Sequence, residues 1–207
     1  MDLIFDAEIV GSIAFAVSGA IVAMERRLDF FGIIILAVIT TVGGGIVRDL
    51  LLGNIPPVAF TDPVYLFVAI GTALAVVLLH KRTADKRVAR ILASMRYFDA
   101  IGLGIFTAVG LVTAIQLRPG EPYLAVSVAV MTGVGGGVLR DILANRVPLI
   151  LRREIYAVAS IVGAVIGYFA YRASRNFAIL ICVVIVVAIR LYAIHKDIHL
   201  PNFQEKN

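Results

Sequence analysis

The sequence predicts an all-α membrane protein: seven transmembrane helices, arranged as two inverted three-helix repeats plus a seventh helix, with the second and fifth helices broken at Gly-Gly-Gly. Three observations carry that prediction: the composition, a series of charge-free apolar runs, and one segment that occurs twice. Of 207 residues, 60% are hydrophobic and only 16% are charged, and the mean hydropathy is +0.96. A soluble domain is typically about half apolar and a quarter charged, so this composition belongs in a bilayer.

The runs are Ile9 to Met24, Phe30 to Val47, Val64 to Leu79, Ala100 to Leu117, Tyr123 to Leu139, Ile155 to Tyr171, and Phe177 to Ile194 with Arg190 as its one interruption. Each approaches the ~17 to 25 residues that span hydrocarbon as a helix. A chain of this size could not enclose so many such helices in a soluble core. The first run is flanked by Asp2, Asp6 and Glu8 and followed by Met24-Glu25-Arg26. An acidic flank without a small-residue cleavage site marks a retained span, not a signal peptide. The single cysteine, Cys182, lies in the last run. No intrachain disulfide is possible, and thiolate metal binding has no support.

The net charge is +5, with a pI near 9.6, but the placement of the charge argues against nucleic acid as a partner. Arg26 and Arg27 follow the first run, and Lys81 to Arg96 hold six basic residues after the third. Arg146, Arg152 and Arg153 follow the fifth, and Lys196 and Lys206 end the chain. The alternate connections carry only Arg118, Arg172 and Arg175. Basic loops stay in the cytoplasm, which puts the N-terminus outside and the C-terminus inside. Their second role is contact with anionic membrane lipids.

The repeated segment is TTVGGGIVRDLLLGNIPP at Thr40, which returns as TGVGGGVLRDILANRVPL at Thr132. Upstream the match continues one residue out of register, with Glu8, Gly11, Phe15 and Gly19 recurring as Asp99, Gly102, Phe106 and Gly110. The chain therefore reads as a single transmembrane domain over 1–207. Repeat 1 covers 8–80, a cytoplasmic linker 81–97, repeat 2 98–171, and the seventh helix 176–196. Three spans per copy is an odd number, so the second copy enters the membrane from the opposite side. Inverted repeats with glycine-interrupted helices point to a path between those helices.

Three glycines in a row cost ~1 kcal/mol each in helix propensity, which makes Gly43, Gly44, Gly45 and Gly135, Gly136, Gly137 the expected hinges. Carbonyls freed there favour a cation, and the hydroxyls of Thr40 and Thr132, with Thr41, Ser12 and Ser18, add oxygen ligands to the path. Arg48 and Asp49, with Arg140 and Asp141, are expected as charges at its two mouths, because an ionisable residue in a span normally faces protein interior or water. Adjacent helical residues do not face each other, so neither pair is expected to be a self-contained salt bridge. Glu8 and Asp99 fall at helix starts. The tyrosines read mostly as interface anchors. Gly11, Gly19, Gly102, Gly110, Gly163 and Gly167 read as helix-packing positions.

Alone, TVGGGIVRDLLLG resembles the signature of tRNA nucleotidyltransferases and poly(A) polymerases. Those enzymes need a metal-binding Asp-x-Asp soon afterwards. The next carboxylate here is Asp62, followed by Pro63 and Val64. His80, His195 and His199 lack metal-ligand spacing, and no nucleophile, base and orienting acid are grouped anywhere. No catalytic residue, resident metal or cofactor is expected, and an enzyme is the least supported class.

The complete pattern, with GGGxxRD in the second and fifth spans of a three plus three plus one chain, resembles the prokaryotic trimeric intracellular cation (TRIC) channels. That group overlaps the UPF0126 or glycine-transporter-domain membrane proteins, and the resemblance runs from about Glu8 to His195. It implies a homotrimer in a prokaryotic cell membrane. Each protomer would conduct monovalent cations, chiefly potassium, or sodium, between kinked second and fifth helices. The Lys-Glu-Val phosphoinositide motif of the animal members is missing. The competing class is a carrier or facilitator for a small zwitterion such as glycine, with Arg48 or Arg140 meeting its carboxylate.

Overall fold

A computed structural model of the chain describes residues 3–82, 95–152 and 155–196. Among these are nine helices: α1 (Leu3–Glu25), α2 (Phe30–Leu52), α3 (Val58–Thr61), α4 (Val64–Arg82), α5 (Met95–Leu117), α6 (Pro122–Leu143), α7 (Leu149–Arg152), α8 (Ile155–Ala170) and α9 (Arg175–Lys196). Most of the expected linker, 81–97, lies outside the described residues. So do the basic residues Lys86, Arg87, Arg90, Arg153 and Lys206.

Five helices, α1, α2, α5, α6 and α9, are long and apolar enough to cross a bilayer unaided. Val64–His80 and Ile155–Ala170 are shorter apolar helices. At 1.5 Å per residue, the 16 residues of Ile155–Ala170 reach only about 24 Å. The protein is thus a multi-pass, all-helical membrane protein. Its outer surface fits that solvent: Phe31, Phe60, Phe67, Leu151 and Phe169 are exposed.

Local chemistry sets the helix ends. The side chain of Asp29 accepts the Gly32 N–H at 2.7 Å and caps α2. Pro122 opens α6, where its missing N–H and fixed φ cost nothing. Both α2 and α6 end in a left-handed residue, Gly53 (φ 74°) and Asn145 (φ 50°), the two residue types that tolerate it best. The turns match further: Asn54 N–H donates to Asp49 O, and Arg146 N–H to Asp141 O, each at 2.8 Å.

The apolar core divides between the two halves. One cluster joins α1, α2 and α4 through residues such as Ala16, Ala20, Leu36, Ala37, Ala69 and Ala73. The second half packs α5, α6 and α8 around Leu103, Val112 and Val134, with α9 laid against them through Cys182 and Val186. Between the halves, α1 packs on α5 and α2 on α6.

The expected breaks at Gly-Gly-Gly are absent. Both α2 and α6 run through their triplets as uninterrupted helix. The glycines serve close approach. A β-carbon at Gly44 would overlap the carbonyl oxygen of Thr132, and one at Gly136 would overlap that of Thr40. Each triplet lets the opposite helix come up backbone against backbone, and that contact outweighs the propensity lost to glycine.

Candidate functional site

The crossing of α2 and α6 holds most of the residues singled out in the sequence. Thr40 and Thr132 are fully enclosed there. Each hydroxyl donates to the carbonyl four residues back, Leu36 O and Val128 O, at 2.6 Å. Gly43 faces Leu139, and Gly135 faces the α-carbon of Gly44. The third glycine of each triplet points elsewhere. A β-carbon at Gly45 would meet nothing within 4 Å, whereas one at Gly137 would lie 2.9 Å from Tyr156 Oη and 3.3 Å from Asp99 Oδ1.

Past the third glycines, each helix carries its arginine and aspartate into a cluster, built from three helices in the first case and five in the second. In the first cluster Arg48 Nε donates to Asp49 Oδ1 at 2.8 Å, and its Nη1 donates to Glu8 Oε1 of α1 at 3.2 Å. Tyr65 of α4 donates its hydroxyl to the other Glu8 oxygen at 2.5 Å. In the second, Arg140 Nε donates to Asp141 Oδ1 at 2.9 Å and its Nη1 to Asp99 Oδ1 of α5 at 2.7 Å. The same nitrogen reaches Ser18 Oγ at 2.5 Å. The ring of Tyr156, from α8, lies nearby with the Arg190 guanidinium 4.7 Å over its centroid.

The remaining aspartate oxygens do a matched job. Asp49 Oδ2 accepts the Val58 N–H at 2.8 Å, and Asp141 Oδ2 accepts the Leu149 N–H at 3.0 Å. Each carboxylate thereby ties the first turn of a short helix, α3 or α7, to the end of the glycine helix. The first cluster contains two carboxylates and one guanidinium, a formal sum of one negative charge. In the second, the buried Arg190 guanidinium over the Tyr156 ring offsets the charge that Asp99, Asp141 and Arg140 leave over.

Access separates the two. A cavity of about 30 Å³, enough to hold water, opens beside the first cluster and is lined by Glu8, Ser12, Gly45, Arg48, Tyr65 and Phe106 among others. Ser12 Oγ lies on it without a protein partner among the described residues. Phe106 stacks on its counterpart Phe15, centroids 5.1 Å apart. In the second cluster Arg140 and Asp99 are 0% exposed. Among the described residues, no group of three or more His, Cys, Asp or Glu side chains is placed to hold a metal ion.

Neither arginine–aspartate pair is self-contained, as expected: each guanidinium bonds its neighbouring aspartate while a carboxylate on another helix holds its far end. Two sequence expectations need correction. Glu8 and Asp99 are more than helix-start residues, since they supply that hold. Tyr65 and Tyr156 were missed as cluster members, and Tyr156 is buried, no interface anchor. Their signal was present: Tyr65 and Tyr156 stand at the same offset as Glu8 and Asp99. Ser18 and Arg190 have no such internal match.

Comparison with known proteins shows the family and the fold. The profile of the family described as Glycine transporter matches twice, over residues 5–81 and 96–172. The Escherichia coli (strain K12) UPF0126 inner membrane protein YadS is 37% identical over 204 residues, covering 97% of this chain and 96% of YadS. Bacillus subtilis (strain 168) YvgT is 37% identical over 195 residues, with 94% and 93% covered. A structure described as the basis for conductance through TRIC cation channels superposes with a TM-score of 0.85, at 33% identity and with both chains covered completely. The chain belongs to the TRIC family. A TRIC orthologue from Rhodobacter sphaeroides superposes at a TM-score of 0.84 and 32% identity, with 96% of this chain and all of that one covered. None of these TRIC and UPF0126 relatives is described as an enzyme.

Proposed function

We propose that the protein is a monovalent cation channel, conducting potassium in preference, with one path in each protomer of a homotrimer. It sits in a prokaryotic cell membrane as a single domain of seven spans, two inverted repeats and a last helix, N-terminus outside and C-terminus in the cytoplasm. The observation that carries this reading is the pair of reciprocal clusters, of which the first has one excess carboxylate and opens onto a cavity that can hold water. The likeness to TRIC cation channel structures over the whole chain supports the same conclusion.

The glycine crossing fills the space directly between α2 and α6, so the path runs beside it. It passes from Glu8 and Arg48 along Gly45 and Ser12, by the Phe106 and Phe15 rings, to Ser18 and the Arg140 cluster. Carboxylates at the mouths concentrate cations, and hydroxyl and carbonyl oxygens substitute for lost hydration. The Glycine transporter description of the family keeps the carrier reading in view. Both guanidiniums, however, are already engaged by two carboxylates each, so an incoming substrate carboxylate would have to displace one.

Purified protein in a planar bilayer under a potassium gradient tests the proposal. Discrete unitary current steps reversing near the potassium potential are expected. Saturable glycine uptake into vesicles without unitary currents would reverse the choice.

A further inference from the structure

We propose that the recess where the α1–α2 turn meets the α6–α7 turn binds the headgroup of a membrane phospholipid that carries both a phosphate and a primary ammonium. Glu25, Arg26 and Arg146 are the residues that recognise it. The inference goes beyond the channel reading and needs only the membrane placement of the fold.

The recess measures about 480 Å³ and is lined by Glu25, Arg26, Asn145, Arg146 and Val147. That is within the ~300 to 1,000 Å³ of small-ligand sites. It is built across the joint of the two halves, since Arg26 Nη2 donates to Asn145 O at 2.7 Å and Arg146 Nη1 donates to Glu25 Oε2 at 2.8 Å. Each bond engages one nitrogen of its guanidinium, and the other N–H groups of both have no acceptor among the described residues. Two planar forks bordering one recess suit a phosphate, which can take paired N–H bonds from each. Both existing bonds are exposed. Exposed pairs hold weakly, so either guanidinium can turn to a ligand at little cost.

Glu25 decides the rest of the headgroup. A ligand that is anionic throughout would bring its charge against this carboxylate, whereas an ammonium beside the phosphate gives Glu25 Oε1 and the Asn145 carbonyl a donor to accept. Sidedness alone does not account for the set, because a cytoplasmic loop calls for basic residues and not for a carboxylate between them. Nor does the fold demand it. At the offsets of the repeat, Glu25, Arg26, Asn145 and Arg146 correspond to Gln116, Leu117, Gly53 and Asn54. The α2–α3 turn repeats the left-handed residue and the backbone bond of the α6–α7 turn with no charge at these positions. The surroundings favour a lipid over a soluble source: Leu28 and Leu143, each two residues along the chain from a residue of the recess, are exposed, as is Val147 in its lining. A headgroup held here leaves its acyl chains at that apolar surface.

Native mass spectrometry of the purified protein with phosphatidylethanolamine, phosphatidylcholine and phosphatidylglycerol tests this. All three carry the phosphate, and only the first also carries a primary ammonium. Wild type should retain phosphatidylethanolamine about ten-fold better than either of the others, the factor a hydrogen bond to a charged group supplies. Glu25→Gln should remove that preference while leaving retention of phosphatidylglycerol equal or raised, and Arg26→Gln combined with Arg146→Gln should weaken retention of all three. Equal retention of the three lipids by wild type overturns the proposal, as does an unchanged preference in Glu25→Gln. Should the double variant fail to fold, Glu25→Gln decides alone. Binding of free phosphorylethanolamine as tight as that of the lipid would assign the recess to a soluble ligand and overturn the lipid source.

Discussion

Asp49 and Asp141 each divide two oxygens between a guanidinium and a peptide N–H, which makes one carboxylate both charge partner and helix tether. The two arginines nevertheless differ in what their loss should do. Removing one member of a buried ion pair leaves its partners uncompensated, at a cost of about 3–5 kcal/mol. Arg140 sits against two carboxylates with no exposure. Arg140→Gln should therefore lower thermal stability in detergent sharply. Arg48→Gln borders the cavity, where water can solvate the carboxylates left behind, so it should lose much less and chiefly alter conductance. Equal losses in melting temperature would mean that the cavity does not hydrate the first cluster.

At the scale of helices, the triplets now predict the opposite of hinges. Alanine at Gly44 or Gly136 would press its methyl into a carbonyl of the facing helix, so each substitution should force α2 and α6 apart and cost about 1–3 kcal/mol, as overpacking does. Alanine at Gly45 meets nothing, and should be neutral or stabilise by up to about 1 kcal/mol through helix propensity. Melting temperatures of the three variants check this, and a destabilised Gly45→Ala with an unaffected Gly44→Ala would reverse the assignment. The sequence showed that the triplets matter because they occur twice with their charges attached. It could not show how, since propensity is a local quantity and the gain that offsets it comes from a helix about ninety residues away. The same limit hid Glu8 and Asp99. Their recurrence was visible, but only the packing of α1 on α2 and of α5 on α6 brings them to the arginines.

For the molecule as a whole, composition and apolar runs made the membrane class and the helix order legible, because hydrocarbon imposes length and polarity on each span regardless of tertiary detail. The two short apolar helices were harder, since periodicity does not say how far a helix rises. Loop charge predicts the sidedness. Cysteines at Thr61 and Arg118 should react with an impermeant reagent from outside, and those at Val147 and Lys196 only from the cytoplasm. Labelling of Thr61→Cys and Val147→Cys from one side would require an even number of spans between them and end the inverted topology. The joint between the halves has a consequence of its own. Gly44 meets Thr132 as Gly136 meets Thr40, and Phe15 lies on Phe106, so each half offers the other the surface it receives. A self-complementary surface of that kind is what a two-fold dimer uses. On the inverted topology proposed above, one three-helix chain inserted in both orientations already carries both sides of the joint. Fusion into a single chain then releases the copies from having to stay identical, and the position shared by Ser18 and Val109 is where that freedom has given Arg140 a hydroxyl partner with no counterpart at Arg48.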